Sequence, residues 1–225
     1  MNLGRVLDGF VGECEALGHS LEQVPDTAWD RPTRCDPWTA RELLGHICVV
    51  LGWLPAMLDA EAPAHAEISA AEYYRPDHRF DPATNAARIA LGRERVEQVP
   101  VSTLPSEFAK TWSEVASRCR PEHEDRVVRT RHGDAMLLSD FLTTRVVEVA
   151  VHGLDLADAL TLEPWLTPPA ADLVLALLLG DAAPRAGELN WSRARLLRKA
   201  TGREPLTDAE NDQLKRLGIR WLALG

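Results

Sequence analysis

Apolar residues fall into helical stripes over most of the chain, and the pattern predicts a mostly α protein. Leu3, Leu7, Phe10, Cys14, Leu17, Leu21 and Val24 alternate steps of four and three, which is one face of a helix that Pro25 closes. Residues 29–38 read as a loop, marked by Pro32 and Pro37. A second helix opens on an S/T-x-x-E capping box, with Thr39 as N-cap and Glu42 reaching back to its amide. Its core face carries Leu43, Val50, Trp53 and Leu54, with His46 on the same face, and Pro55 is expected to kink or end it. Residues 60–82 are polar, include the pair Tyr73-Tyr74, and read as a long connection of the kind that borders a site. A third helix is predicted over 83–98 and a shorter fourth over 105–118, with Phe108, Trp112, Val115 and Cys119 on its buried face. Over 125–138 the period shortens: Val127-Val128 and Met136-Leu137-Leu138 flank His132-Gly133-Asp134, a two-strand hairpin.

The helix predicted over 141–160 is the most informative. Ser139 suits its N-cap, and Asp140 complements the positive helix end. Leu142, Val146, Val147, Val149, Ala150, Val151, Leu154 and Leu156 make it apolar on most of its circumference, so it should be largely buried. One narrow stripe breaks that pattern: Arg145, Glu148, His152 and Asp155, at steps of three, four and three. Burying a carboxylate and an imidazole costs several kcal/mol unless partners compensate them. Beyond Pro164 the character changes. Pro168-Pro169, an apolar run over 173–179, Pro184 and Gly187, then a short helix over 208–217, indicate a small helical extension. The expected organisation is a bundle over 1–162 and an extension over 163–225, with no internal repeat.

Composition narrows the possible functions. With 25 Lys+Arg against 34 Asp+Glu the formal net charge is −9, which argues against a nucleic-acid binder and its basic patch. No uninterrupted apolar run reaches the roughly 18 residues of a membrane helix. Arg5, Asp8, Glu13 and Glu15 stand where a signal peptide would be apolar, so a cytoplasmic protein is expected, monomeric or homodimeric. Cys14, Cys35, Cys48 and Cys119 form no C-x-x-C pair and read as reduced thiols.

Glu148 and His152, four residues apart, project from one helix face about one turn apart, a workable spacing for two ligands to one ion. A third ligand must come from a facing helix, and His46 is the one histidine on an otherwise apolar helical face. Two imidazole nitrogens and one carboxylate oxygen suit catalytic zinc with an open position, and iron(II) or nickel also accept such a set. Asp155 or Arg145 would then orient His152 and Glu148 from behind. Simpler readings stand beside this one. An E-x-x-x-H spacing arises by chance, a core histidine can bond a backbone carbonyl, and an Arg145–Glu148 ion pair would satisfy the carboxylate without metal.

Residues 29–46, W-D-R-P-T-R-C-D-P-W-T-A-R-E-L-L-G-H, resemble the N-terminal signature of the mycothiol-dependent maleylpyruvate isomerase family, within the DinB-like superfamily of metal-binding bundles. Residues 145–160, R-V-V-E-V-A-V-H-G-L-D-L-A-D-A-L, are similar to that family's second metal segment, and T-G-R-E-P-L-T over 201–207 to its C-terminal extension. The three motifs stand in the family's order and touch nearly the whole chain. The resemblance implies a DinB-like four-helix bundle, with a short β-hairpin and a C-terminal helical extension. It further implies a divalent metal, zinc by preference, on His46, Glu148 and His152, with mycothiol as cosubstrate.

The chemistry follows from thiol acidity. A free thiol has a pKa of about 8.5 and is mostly protonated at neutral pH, whereas coordination to zinc favours the thiolate. Such a thiolate attacks an electrophilic carbon; keeping the adduct is S-transfer, and expelling the thiol after bond rotation is cis–trans isomerisation. S-transfer is the expected outcome, since the isomerase is one specialised case within the superfamily. An anionic substrate would need local positive groups, which Arg75, Arg88, Arg93, Arg145 and Arg203 offer; Arg145 is the candidate catalytic residue, contacting a substrate carboxylate or backing Glu148. Tyr73 and Tyr74 either line a substrate mouth or pack on the bundle, and none of the cysteines reads as a nucleophile. Two other functions remain open: a metal-hydroxide hydrolase, in which a ligating Glu148 could not also act as general base, and a non-catalytic stress protein that binds metal or a small molecule.

Overall fold

A computed structural model of the chain describes residues 2–77 and 81–224. Four helices form a ring: α1 (Leu3–Leu21), α2 (Ala40–Asp59), α4 (Leu104–Cys119) and α5 (Leu138–Leu160). Helices α1 and α2 each pack on both α4 and α5, which makes a four-helix bundle, and α3 (Pro82–Glu97) lies against α2. Strands β1 (Val127–Arg129) and β2 (Ala135–Leu137) pair antiparallel between α4 and α5, with Val128 opposite Met136. Then come α6 (Pro168–Leu179), a 3₁₀ stretch (Gly180–Leu189), α7 (Arg193–Ala200) and α8 (Asp208–Leu217). Helix α6 packs on α1 and α5, so the extension shares its core with the bundle.

The stripes behave as their spacing predicts. All six helical members of the first, Leu3 through Leu21, are buried along α1, and Val24 is buried just past its end. The Asn2 side chain accepts the Arg5 amide at 3.0 Å and so caps α1. At the start of α2 the Glu42 carboxylate accepts the Thr39 amide at 2.9 Å. Helix α5 buries residues around nearly its whole circumference, including Arg145 and Asp155 from the polar stripe. On α4, Phe108, Val115 and Cys119 are buried and Trp112 is half-buried.

Three boundaries differ from the sequence reading. Helix α2 continues through Pro55 to Asp59, because burial of Met57 and Leu58 in the core holds the last turn despite the missing amide. Ser139 is not the N-cap of α5. Strand β2 runs straight into the helix, the Leu138 amide donates to the Arg126 carbonyl at 2.7 Å, and Ser139 lies buried inside the first turn. Helix α7 is an element the sequence reading does not contain: at eight residues it is too short for a repeating stripe, and its one buried face, Leu196, Leu197 and Ala200, packs on α6 and α5.

The seam between α2 and α3 depends on glycine. Among the buried residues of α3 are only Gly92 and Val96, and a Cβ on Gly45 of α2 would collide with the Gly92 carbonyl oxygen. A Cβ on Gly92 would in turn stand 3.3 Å from the His46 Cβ, so this close approach also seats His46. Gly45→Ala is therefore expected to cost about 1–3 kcal/mol as overpacking against rigid backbone. Urea denaturation read by circular dichroism measures it; a loss below 0.5 kcal/mol, the usual scatter for a surface change, would contradict the close packing.

Candidate metal centre

The middle of α2 and the middle of α5 face each other across a cavity of about 450 Å³, and the loop over 29–38 covers one side. Helix α2 brings His46, and α5 brings Glu148 and, one turn on, His152. His46 Nε2 lies 3.3 Å from Glu148 Oε2, and His152 Nε2 lies 3.4 Å from the same oxygen. The three ligand atoms fall within 4.8 Å of one another. Metal–ligand bonds of about 2.0–2.2 Å at tetrahedral angles separate ligand atoms by about 3.4 Å, so the spacing and the donor types fit a divalent cation.

The surroundings set the charge of each group. Burial pushes the His46 pKa down, against the pull of Glu148, so the ring is neutral and keeps a lone pair at neutral pH. Burial alone would raise Glu148, but His152, His46 and Arg145 outweigh it and hold the carboxylate well below its usual range. Burial alone would lower His152, but Asp155, Cys35 and Glu148 hold it well above the ordinary histidine value. Trp38 lies flat on His46, ring centroids 4.6 Å apart and planes 24° from parallel, and meets His152 edge-on.

Asp155 sits behind His152, fully buried, with Oδ2 3.0 Å from His152 Nδ1. Burial would raise its pKa; His152 and Arg203 override that and hold it far below the normal range. Having no proton to give, Asp155 accepts from His152 Nδ1–H, which leaves Nε2 as the atom turned toward Glu148. Cys35 Sγ also donates to Asp155 Oδ2, at 3.2 Å. Cys35, His152 and Asp155 thus form a second cluster of possible ligands, but Arg203 already occupies both Asp155 oxygens, at 2.8 and 2.6 Å.

Arg145 is 1 % exposed. Its Nη1 donates to the Val50 carbonyl at 3.1 Å, and its Nε and Nη2 to Thr144 Oγ1 at 3.1 and 3.0 Å. Nη2 lies 3.9 Å from Glu148 Oε1, and the guanidinium carbon sits 4.7 Å from the Phe141 ring centroid. Tyr73 and Tyr74 are both buried and both line the cavity, and the Tyr74 hydroxyl donates to the Thr144 carbonyl at 3.4 Å. Both rings therefore pack on the bundle while also facing the cavity. Of the cysteines, Cys14, Cys48 and Cys119 are buried, and burial raises their thiol pKa, to about 11 for Cys48 and about 12 for Cys119. Only Cys35 reaches the cavity.

The structure thus brings together His46, Glu148, His152, Arg145 and Asp155, all singled out in the sequence. It adds residues that sequence reasoning missed, Trp38, His132 and Leu224 on the cavity wall, and of the other arginines offered as positive groups it puts Arg88 on that wall and Arg203 behind Asp155. Trp38 had a signal, since it stands beside the N-cap of the His46 helix. Arg203 stands in the T-G-R-E-P-L-T motif, but nothing pointed to its pairing with Asp155, 48 residues away.

Comparison with known proteins gives one family. Residues 10–157 match the family described as the mycothiol maleylpyruvate isomerase N-terminal domain. Two solved structures share the fold. One is the mycothiol-dependent maleylpyruvate isomerase, at 17% identity and TM-score 0.60; the other is a histidine-to-alanine variant of it, at 15% identity and TM-score 0.62. Each alignment covers 91% of this chain and 90% of the other. No curated protein matches the chain in sequence.

Proposed function

The chain belongs to the family of the mycothiol maleylpyruvate isomerase N-terminal domain, and from that membership we propose that it is a metal-dependent, thiol-using enzyme acting on a small electrophile by S-transfer or isomerisation. The observation that carries the reading is the convergence of His46 Nε2, Glu148 Oε2 and His152 Nε2 on the cavity floor. These residues would hold a divalent cation, zinc by preference, with iron or nickel as alternatives. When bound, that cation supplies the Lewis acidity that lets mycothiol react as a thiolate near neutral pH.

The protein's own groups do the rest. Neutral His46 and ionised Glu148 are ready to ligate without losing a proton, and Asp155 fixes the His152 ring. Trp38 covers the face of His46, which leaves the cavity as the open approach. Arg145 has its donors engaged by Val50 and Thr144, so its role is to place positive charge beside Glu148 and orient that carboxylate. Arg88, held by Asn85 at 2.7 Å, and His132 add positive and polar edges to the wall, which suits an anionic electrophile such as the substrate named for the related isomerase. In this reading the bundle over 1–162 carries the ligands and the extension over 163–225 backs them.

The test is incubation of zinc-loaded protein with a small electrophile, with and without mycothiol, followed by mass spectrometry. Thiol adduct or isomerised product is expected only when mycothiol is present. Hydrolysis at equal rate without thiol would replace this reading with the metal-hydroxide one, and no turnover of any electrophile would contradict both.

A further inference from the structure

Asp155 is completely buried, yet it accepts from three residues: Arg203 through Nε at 2.8 Å and Nη2 at 2.6 Å, His152 through Nδ1 at 3.0 Å, and Cys35 through Sγ at 3.2 Å. Arg203 lies on the extension, outside the 10–157 segment that matches the family. We propose that Arg203 is a positioning residue of the metal centre: its two-pronged grip on Asp155 fixes the carboxylate that in turn fixes the His152 ring. The proposal rests on the reading of His152 as a metal ligand and extends it across to a separate part of the chain.

The local backbone is built to deliver this side chain. Helix α7 ends at Ala200, and Gly202, at φ +71°, turns the chain in a conformation that a side chain would strain. The Arg203 amide then donates to the Arg198 carbonyl at 2.7 Å, and the Arg203 carbonyl accepts from Arg34 Nη1 at 2.6 Å. Arg203 Nη1 donates to the Thr201 carbonyl at 3.0 Å, which leaves Nε and Nη2 as the edge presented to the carboxylate. Arg34 neighbours Cys35, so one side chain ties the α7 turn to the loop that walls the cavity. Paired donors in a rigid fork fix the plane of a carboxylate, which a single charge on a flexible stem cannot do.

The simpler account is an ion pair that ties α7 to α5. The fold already has one: Arg198 grips Asp158, three residues past Asp155 on the same helix, at a half-exposed position away from His152. Asp155 differs in being fully buried and shared with a candidate ligand, the arrangement by which outer partners orient metal-binding histidines.

The experiment measures zinc affinity by chelator competition on metal-stripped protein for wild type, Arg203→Met, Arg203→Lys and Arg198→Met. In parallel, NMR of the metal-free proteins follows the His152 ring Nδ1 proton. Arg203→Met is expected to weaken zinc by about 10–100-fold and to broaden that proton. Arg203→Lys should recover part of the affinity, and Arg198→Met should stay within about twofold of wild type, because its ion pair does not reach the ring. If Arg203→Met fails to fold, Arg203→Lys decides alone by the same two readouts. Wild-type affinity and a sharp ring proton in the Arg203 variants would overturn the proposal. Failure of wild type to bind zinc, with the ring proton still lost in Arg203→Met, would remove the metal reading and leave the clamp standing.

Discussion

His46→Ala, Glu148→Ala and His152→Ala are each expected to abolish stoichiometric zinc binding and, with it, thiol-dependent turnover. Ligand count sets the size of the effect. Among the described residues, His46, Glu148 and His152 are the donors of the proposed site, and distances of 3.3 and 3.4 Å fix their spacing. Losing an outer partner of a metal ligand costs about 10–100-fold in affinity, so losing one of three ligands must cost more. The three variants differ in their folding. His46→Ala empties a buried slot between Trp38 and Gly92, whereas His152→Ala strips a donor from buried Asp155 and leaves Arg203 and Cys35 to satisfy it. All three should keep the helical circular dichroism of wild type. Metal content after dialysis, read by atomic emission, checks the prediction, and wild-type stoichiometry in His46→Ala and His152→Ala would contradict it.

Arg145→Met is expected to cost about 3–5 kcal/mol of folding stability, the largest loss for any single substitution considered. The guanidinium is 1 % exposed and donates to Val50 and Thr144, so its removal takes one hydrogen bond from the buried Val50 carbonyl and two from the Thr144 hydroxyl, which keeps its own bond to the Phe141 carbonyl. It also removes a guanidinium 3.9 Å from Glu148 and a cation that lies over Phe141. Methionine matches the stem but replaces none of the donors. Urea denaturation of the metal-free protein separates this folding cost from any effect on metal; a change below about 1 kcal/mol would show that water takes over the partners of Arg145.

How much of this was legible in the sequence depends on whether the partners were local. The stripe Arg145, Glu148, His152, Asp155 shares one face of one helix, so helical periodicity alone brought four members of the site together. His46 was legible because a polar residue on an apolar face must find a partner. The bundle was legible for the same reason, since its helices carry stripes that only mutual burial satisfies. Arg203, Cys35 and Trp38 come from turns and loops whose positions follow from tertiary packing, and no period links them to Asp155 or His46. Pro55 does not end α2, because the local propensity is overridden by burial of the two apolar residues beyond it. Ser139 misled because a good capping residue goes unused when a strand feeds the helix directly.

The central claim is that one divalent cation sits on His46, Glu148 and His152. Anomalous diffraction at the zinc edge from zinc-loaded crystals tests it most directly. The account predicts one strong peak about 2.0–2.2 Å from both Nε2 atoms and from a Glu148 oxygen. A peak on Cys35, His152 Nδ1 and Asp155 instead, or none at the cavity floor, would contradict it.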